Sequence, residues 1–446
     1  MRALFAPVPA SALAFFRAAF GIAIFVGAAR YLGYGWVSDL YVTPEYHFTY
    51  WGFDGVKPWP GIGMHVHYAL MGLLGLCVAA GLFYRASIAL VFGMFTYVEL
   101  IDKTAYLNHY YFVSLVALLM IFMPLHRAYS LDVRRRPELK REAMPAWCLW
   151  IVRFQLGCVY FFAGVAKLEK DWLMHGEPMT IWLAARTDFP LVGHLFDLPW
   201  LGQAMSIAGC LFDLTILFFL LWRPTRLWAY LTVVVFHVAT GLLFNIGLFP
   251  LIMIALTPLF FDPDWPRRLW ARFKKEPYQA PELPEHLPAR SPLLRQVGMA
   301  ALTLYVTVQL LVPMRHLLYP GNVLWNQEGW RFSWRVMLIE KSGFLKFEVR
   351  DANSERRWVV YPRSFLNDRQ LQLATGSPDM ILQLAHHIAE DFRSRGVAEP
   401  QVFADAHLSL NGRPSSRFID PEVDLAKEPR GLVHFDWVLP EQSAAR

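Results

Sequence analysis

The stretch "YFFAGVAKLEKDW", Tyr160–Trp172, decides the fold and poses its main chemical question. Its apolar part runs back to Ala146 with Arg153 as the lone charge and no proline. That is about the 20 residues a bilayer-crossing helix needs. The run closes on Lys167, with Glu169, Lys170 and Asp171 crowded behind it. Arg153, Gly157, Tyr160, Gly164 and Lys167 recur at steps of three or four and so share one helical stripe. The two glycines on that stripe let a second helix or a flat ligand approach closely.

Lys167 admits two readings. A lysine at a helix end commonly snorkels to the membrane surface, and position alone favours that one. Enclosed among the neighbouring aromatics, it would instead be a desolvated amine able to accept a proton. A pairing with Asp171, one turn on, would work against the second reading.

The rest of the chain fits a polytopic membrane protein. Of 446 residues, 55% are hydrophobic and only 17% charged, which excludes an ordinary soluble domain. The candidate spans are Ser11–Leu32, His65–Phe83, Ala86–Ile101, Tyr110–Leu125, Ala146–Ala166, Trp200–Trp222, Leu227–Ile246, Leu248–Phe261 and Val297–Val312. They make about nine transmembrane helices. With the N-terminus in the cytoplasm, the basic loops "RRRPELKRE", "RPTR" and "PRRLWARFKKE" all fall inside. Nine spans then place the C-terminus outside the inner membrane.

A composition change near Pro313 divides the chain into a membrane domain, 1–312, and an extracytoplasmic β-rich domain, 313–446. "FLKFEVRD" and "RRWVVYP" alternate like half-buried strands. "SPDMILQLAHHIAEDFRSRG" carries the start and stop signals of one amphipathic helix, and Asn411–Gly412 marks a hairpin turn. The Pro- and Glu-rich stretch Lys275–Ser291 reads as a cytoplasmic linker.

Other polar groups lie inside the spans and need partners. Asp213 and Arg153 reach a similar depth on neighbouring spans and are expected to pair, with Arg17 competing for the same acid. His237, Gly241 and Asn245 share a stripe that reads as a cavity wall. In "DKTAYLNHYY", Asn108 and His109 sit at an outer turn that is either an ordinary interfacial bend or the mouth of a pocket. The four cysteines lie in or at the ends of apolar stretches, with no CxxC and no metal spacing. No metal site and no nucleic-acid partner is expected, since the basic clusters are spread along one membrane face.

Several stretches in order carry a resemblance: "KTAYLNHYYF", "MPLHRAYSLD", "YFFAGVAKLEKDW", "FHVATGLLFNIGLFPLIMIALTPLFF", "RHLLYPGNVLWNQEGWRFSWRVML" and "LSLNGRP". The chain, from about Leu13 to Leu425, resembles the vitamin K-dependent γ-glutamyl carboxylases and their bacterial relatives with a horizontally transferred transmembrane (HTTM) domain. The resemblance implies an enzyme that uses vitamin K hydroquinone, O₂ and CO₂ to carboxylate glutamate in a protein or peptide substrate, with epoxidation of the quinol coupled to it. It implies that Lys167, the lysine of the "GVAKL" stretch, is the catalytic base, which turns the second reading of that residue into the expected one. His126 in "LHRAYSLD" corresponds to a family histidine linked to catalysis, although it falls at the cytoplasmic end of its span and Lys167 at the outer end of the next. His237, Asn108, His109 and Tyr160 are the expected substrate-binding groups in the membrane; Trp325, Trp334 and the "SLNGRP" hairpin are the expected peptide-docking groups. The disulfide that joins the two parts of the animal enzyme has no counterpart in these cysteines. A quinol-dependent oxygenase with another substrate, and a non-catalytic quinone- or lipid-binding protein, are the competing readings.

Overall fold

The computed structural model describes residues 2–244, 246–287 and 291–442. Asn245, the last member of the His237 stripe, lies outside them. Seven of the described helices are long and apolar enough to cross a membrane: α1 (Ser11–Gly33), α2 (Gly63–Ala80), α3 (Tyr84–Ile101), α5 (Trp147–Ala166), α6 (Leu201–Leu221), α7 (Arg226–Leu243) and α9 (Pro292–Leu318). Two shorter apolar helices, α4 (Asn108–Phe122) and α8 (Phe249–Phe260), stand at the remaining two expected spans. The length difference is local: α4 ends where Met123 turns extended ahead of Pro124, and α8 tightens to a 3₁₀ turn over Thr257–Phe260.

Helices α1 to α4 form one half of the bundle, with α1 against α2; α5 and α6 pack side by side in the other. Their contact is as close as the glycine stripe foretold. A Cβ at Gly164 would lie 2.8 Å from the Leu214 backbone nitrogen, so only glycine fits there.

The expected Arg153–Asp213 pair does not form. Arg153 donates to the carbonyl oxygens of Leu259 (2.8 Å) and Phe261 (3.1 Å) at the end of α8. Arg17 is satisfied in the same way, by the carbonyls of Leu125 (2.7 Å), Ala128 (2.9 Å) and Tyr129. Both guanidiniums take up main-chain carbonyls at a helix end or in the turn that follows one. Equal depth on two helices does not put two groups on facing sides, and Asp213 faces elsewhere.

The C-terminal part is built on one antiparallel sheet in the order β2-β1-β3-β4, with β1 Lys341–Asp351, β2 Arg357–Val360, β3 Pro400–Leu410 and β4 Ser416–Arg417. Along β1, Leu345, Phe347 and Val349 are buried and alternate with more accessible residues, as the strand pattern requires. Helix α10 (Asp368–Thr375) leads into α11 (Pro378–Ser394), the amphipathic helix read from the sequence, which packs along β3. Asn411 and Gly412 both have positive φ, 50° and 74°, and Arg413 N–H closes the turn on Leu410 O at 3.1 Å. One hydrophobic core runs from this sheet into the membrane domain, joining Leu345 and Ile381 to Trp325, Phe48, Trp172 and Met179. The sheet domain thus sits as a cap on the ends of the helices that carry Lys167 and Asn108.

Candidate active site

Helix α5 stops at Lys167, whose N–H still bonds Gly164 O at 3.0 Å. The neighbouring α6 runs antiparallel and begins at Leu201, so Lys167 meets the middle of α6 rather than its end. Its Nζ lies 2.8 Å from Asp213 Oδ2 and 3.4 Å from Ala163 O, and 5.3 Å over the Trp172 ring. Lys167 is only 6% exposed and so is Asp213. The amine is therefore an enclosed group, not a surface anchor. Asp171 turns away from it, accepting from Asn411 Nδ2 at 3.1 Å and pairing with Arg413.

Lys167 and Asp213 line a cavity of about 520 Å³. Most of its wall is apolar or aromatic: Phe212 from α6, Phe236 from α7, Phe249 from α8, and Trp172. The polar groups in the wall include Asn108, His109, Tyr160 and His237, four of the residues singled out in the sequence. Tyr160 OH and His237 Nε2 are 3.0 Å apart, on the same stripe as Lys167 and one helix over. The His109 ring stacks on Phe249 at a centroid distance of 5.5 Å. Asn108 is held by both its amide groups: it accepts from Tyr106 OH at 3.0 Å and donates to Arg335 O at 3.0 Å.

Two ring nitrogens of this wall, His109 Nε2 and His237 Nδ1, are buried without a hydrogen-bond partner among the described residues. Buried polar atoms are normally satisfied, so two in one apolar cavity mark places for the polar atoms of a ligand. A flat apolar ring with oxygen atoms on its edge fits this wall, and the residues present suit a hydroquinone.

The structure does not bring His126 to the cavity. It lies on the 3₁₀ turn Leu125–Arg127, beyond the opposite end of α4 from His109, and stacks on Tyr84 at 5.9 Å. The part of α4 from His109 to Phe122 alone separates the two by ~20 Å. The two tryptophans are not in the cavity wall either. Trp325 Nε1 donates to Leu439 O at 2.9 Å inside the sheet domain. Trp334 is fully buried and stacks on Tyr111 at 5.0 Å, beside Val336 and Met337, which do form the cavity's cap-side wall. Both are packing residues of the junction. The sequence reading missed Asp213 as the partner of Lys167, and Val336 and Met337 as wall; the single acid within α6 was the available signal for the first.

Two family models cover nearly the whole chain. The HTTM domain matches residues 5–265, and the lumenal domain of vitamin K-dependent gamma-carboxylase matches residues 294–444. The chain belongs to the vitamin K-dependent γ-carboxylase family. The two matches of this carboxylase-family chain meet in space at the cavity, since Lys167 and Asp213 lie in the first and Val336 and Met337 in the second. No solved structure matches the chain.

Proposed function

We propose that this membrane protein is a vitamin K hydroquinone-dependent γ-glutamyl carboxylase of the inner membrane, with its N-terminus cytoplasmic and its sheet domain extracytoplasmic. The observation that carries the proposal is the Lys167 amine, buried in a mostly apolar cavity whose wall also holds two unpartnered histidine nitrogens. Reduced vitamin K supplies, with O₂, the strong base that removes a γ-proton from glutamate, and CO₂ adds to the carbon so exposed. Lys167 Nζ accepts the proton that activates the quinol. His109 and His237 orient it through Nε2 and Nδ1, and Tyr160 fixes the ring of His237. Phe212, Phe236 and Phe249 exclude water, which a strong base would otherwise deprotonate. Asn108 ties the wall to the sheet domain, the side from which a glutamate-containing protein or peptide would arrive.

The test uses the full chain in nanodiscs with reduced vitamin K, O₂, labelled bicarbonate and a short glutamyl peptide. Wild type is expected to form both quinone epoxide and acid-stable label, and Lys167→Ala neither. Epoxide without label would support a quinol oxygenase acting on another substrate. Absence of both from folded protein would leave a quinone- or lipid-binding protein.

A further inference from the structure

We propose that Asp213 is the positioning residue of Lys167: it aims the amine into the cavity and takes up the proton that Lys167 must release before it can act. The inference rests on the reading of Lys167 as the base.

Among the described residues, Asp213 makes the closest contact to the amine. Ala163 O, at 3.4 Å, is a long contact within its own helix, while Asp213 Oδ2 at 2.8 Å is a direct one from the facing helix. The other acids nearby are engaged elsewhere, Asp171 with Arg413 and Asn411, and Glu169 with Arg335 at 3.9 Å. The titratable groups around the amine are Asp213 and Cys210 on α6, His237 on α7, His109 on α4 and Tyr160 on α5 itself. Of these, Asp213 is the one carboxyl, and its Oδ2 is the atom in contact with Nζ.

The pair holds one proton between two buried groups. Moving it from Nζ to Oδ2 leaves an amine and a carboxylic acid, with no change in net charge. The nitrogen lone pair is then free. Taking a proton from a quinol O–H breaks that bond, leaves its electron pair on the quinol oxygen and forms a new N–H bond. The resulting ammonium faces the quinolate, and the neutral acid beside it does not compete for the ammonium. In a dry site this ordering avoids an isolated charge at every stage.

The experiment labels Lys167 with a small apolar acylating reagent across a pH series and reads the modified peptide by mass spectrometry, in wild type, Asp213→Asn and Asp213→Glu. Only the unprotonated amine reacts. Without the carboxylate, half-maximal labelling is expected about one pH unit lower or more, since an opposite charge in contact favours the protonated form. Asp213→Glu should stay close to wild type. The acidic limb of quinol kcat/KM should move with the labelling curve, and kcat in Asp213→Asn should fall about tenfold or more from loss of aim. Should Asp213→Asn not fold, Asp213→Ser removes the same charge. A labelling curve that does not move overturns the proposal, and so does a kcat loss in Asp213→Asn without any shift of the limb, which is what a purely structural role gives. Failure of the carboxylase reading looks different: labelling shifts while Lys167→Ala still turns over quinol.

Discussion

Asn411 Nδ2 lies 3.1 Å from Asp171 Oδ2, so the hairpin turn of the sheet domain is tied to the chain four residues past Lys167. Arg413 binds the same carboxylate and reaches Glu441 as well. Gly412, between them, faces Ile181, with room for a Cβ only at 3.3 Å from its Cδ1. The turn is thus one of the points at which the sheet domain is tied to the segment that carries the proposed base.

Arg413→Ala should loosen this junction. It leaves a buried Asp171 with one donor fewer, a loss on the order of 1–3 kcal/mol for a charged hydrogen bond. Differential scanning of the protein in detergent should show a lower melting temperature. A double-mutant cycle with Asp171→Asn should give less than the sum of the two single losses. Strict additivity would mean that the turn and the Lys167 segment are not coupled.

The same contact predicts a pH window. Burial alone would push the Asp171 carboxyl up, but the hydrogen bonds from Arg413 and Asn411 outweigh it and hold it below the usual carboxylate range. A carboxylate depressed in the folded state contributes stability that is fully present above its unfolded value, roughly pH 4, and is lost as pH falls through the folded one. Protection of the 409–415 backbone from amide exchange, corrected for the intrinsic rate, should therefore be flat from neutral pH to about pH 5 and decline only below about pH 4. A decline that begins near pH 6 would point to a histidine instead.

Gly164→Ala tests the closeness of α5 and α6. The added methyl would sit 2.8 Å from the Leu214 backbone nitrogen, where no side-chain rotation can relieve it. Overpacking of this kind costs about 1–3 kcal/mol and is relieved only by moving the helices apart. Because Lys167 and Asp213 bridge the same two helices, their contact should lengthen. The expected result is a lower melting temperature together with altered Lys167 labelling. Gly298→Ala, on α9 with nothing within 4 Å, should do neither.

Much of this was legible in the sequence, and the failures have a common cause. Apolar length alone locates the helices, and the step of three or four residues puts Tyr160, Gly164 and Lys167 on one side of α5. Asn411–Gly412 specifies its turn because two consecutive positive φ values suit few other residue pairs. Pairing across helices was not legible. Arg153 and Asp213 are matched in depth, but depth fixes one coordinate and rotation about each helix axis fixes the other. Position in sequence makes Lys167 a helix-end anchor only if the end of α5 is the membrane surface, whereas α6 continues past it and the sheet domain covers it. Val336 and Met337 could not be found at all from local pattern, since their role depends on how the cap folds back over the bundle.

The sharpest contrast lies between His109, in the first turn of α4, and His126, beyond its last. Each carries a buried ring nitrogen without a partner among the described residues, but His109 Nε2 is in the cavity wall and His126 Nδ1 lies beyond the far end of the helix against Tyr84. If the cavity is where the quinol reacts, His109→Leu removes a polar contact to it at nearly constant volume. Losing such a contact should lower kcat/KM for the quinol about tenfold or more, and His237→Leu should behave alike. His126→Leu keeps the cavity intact, and any effect should appear in thermal stability while quinol kcat/KM stays within about twofold of wild type. The three variants measured side by side, with melting temperature as the control for folding, separate the cavity from the far end of α4. A His126→Leu protein that folds normally and turns over no quinol would require a second site there, and would move the chemistry away from Lys167.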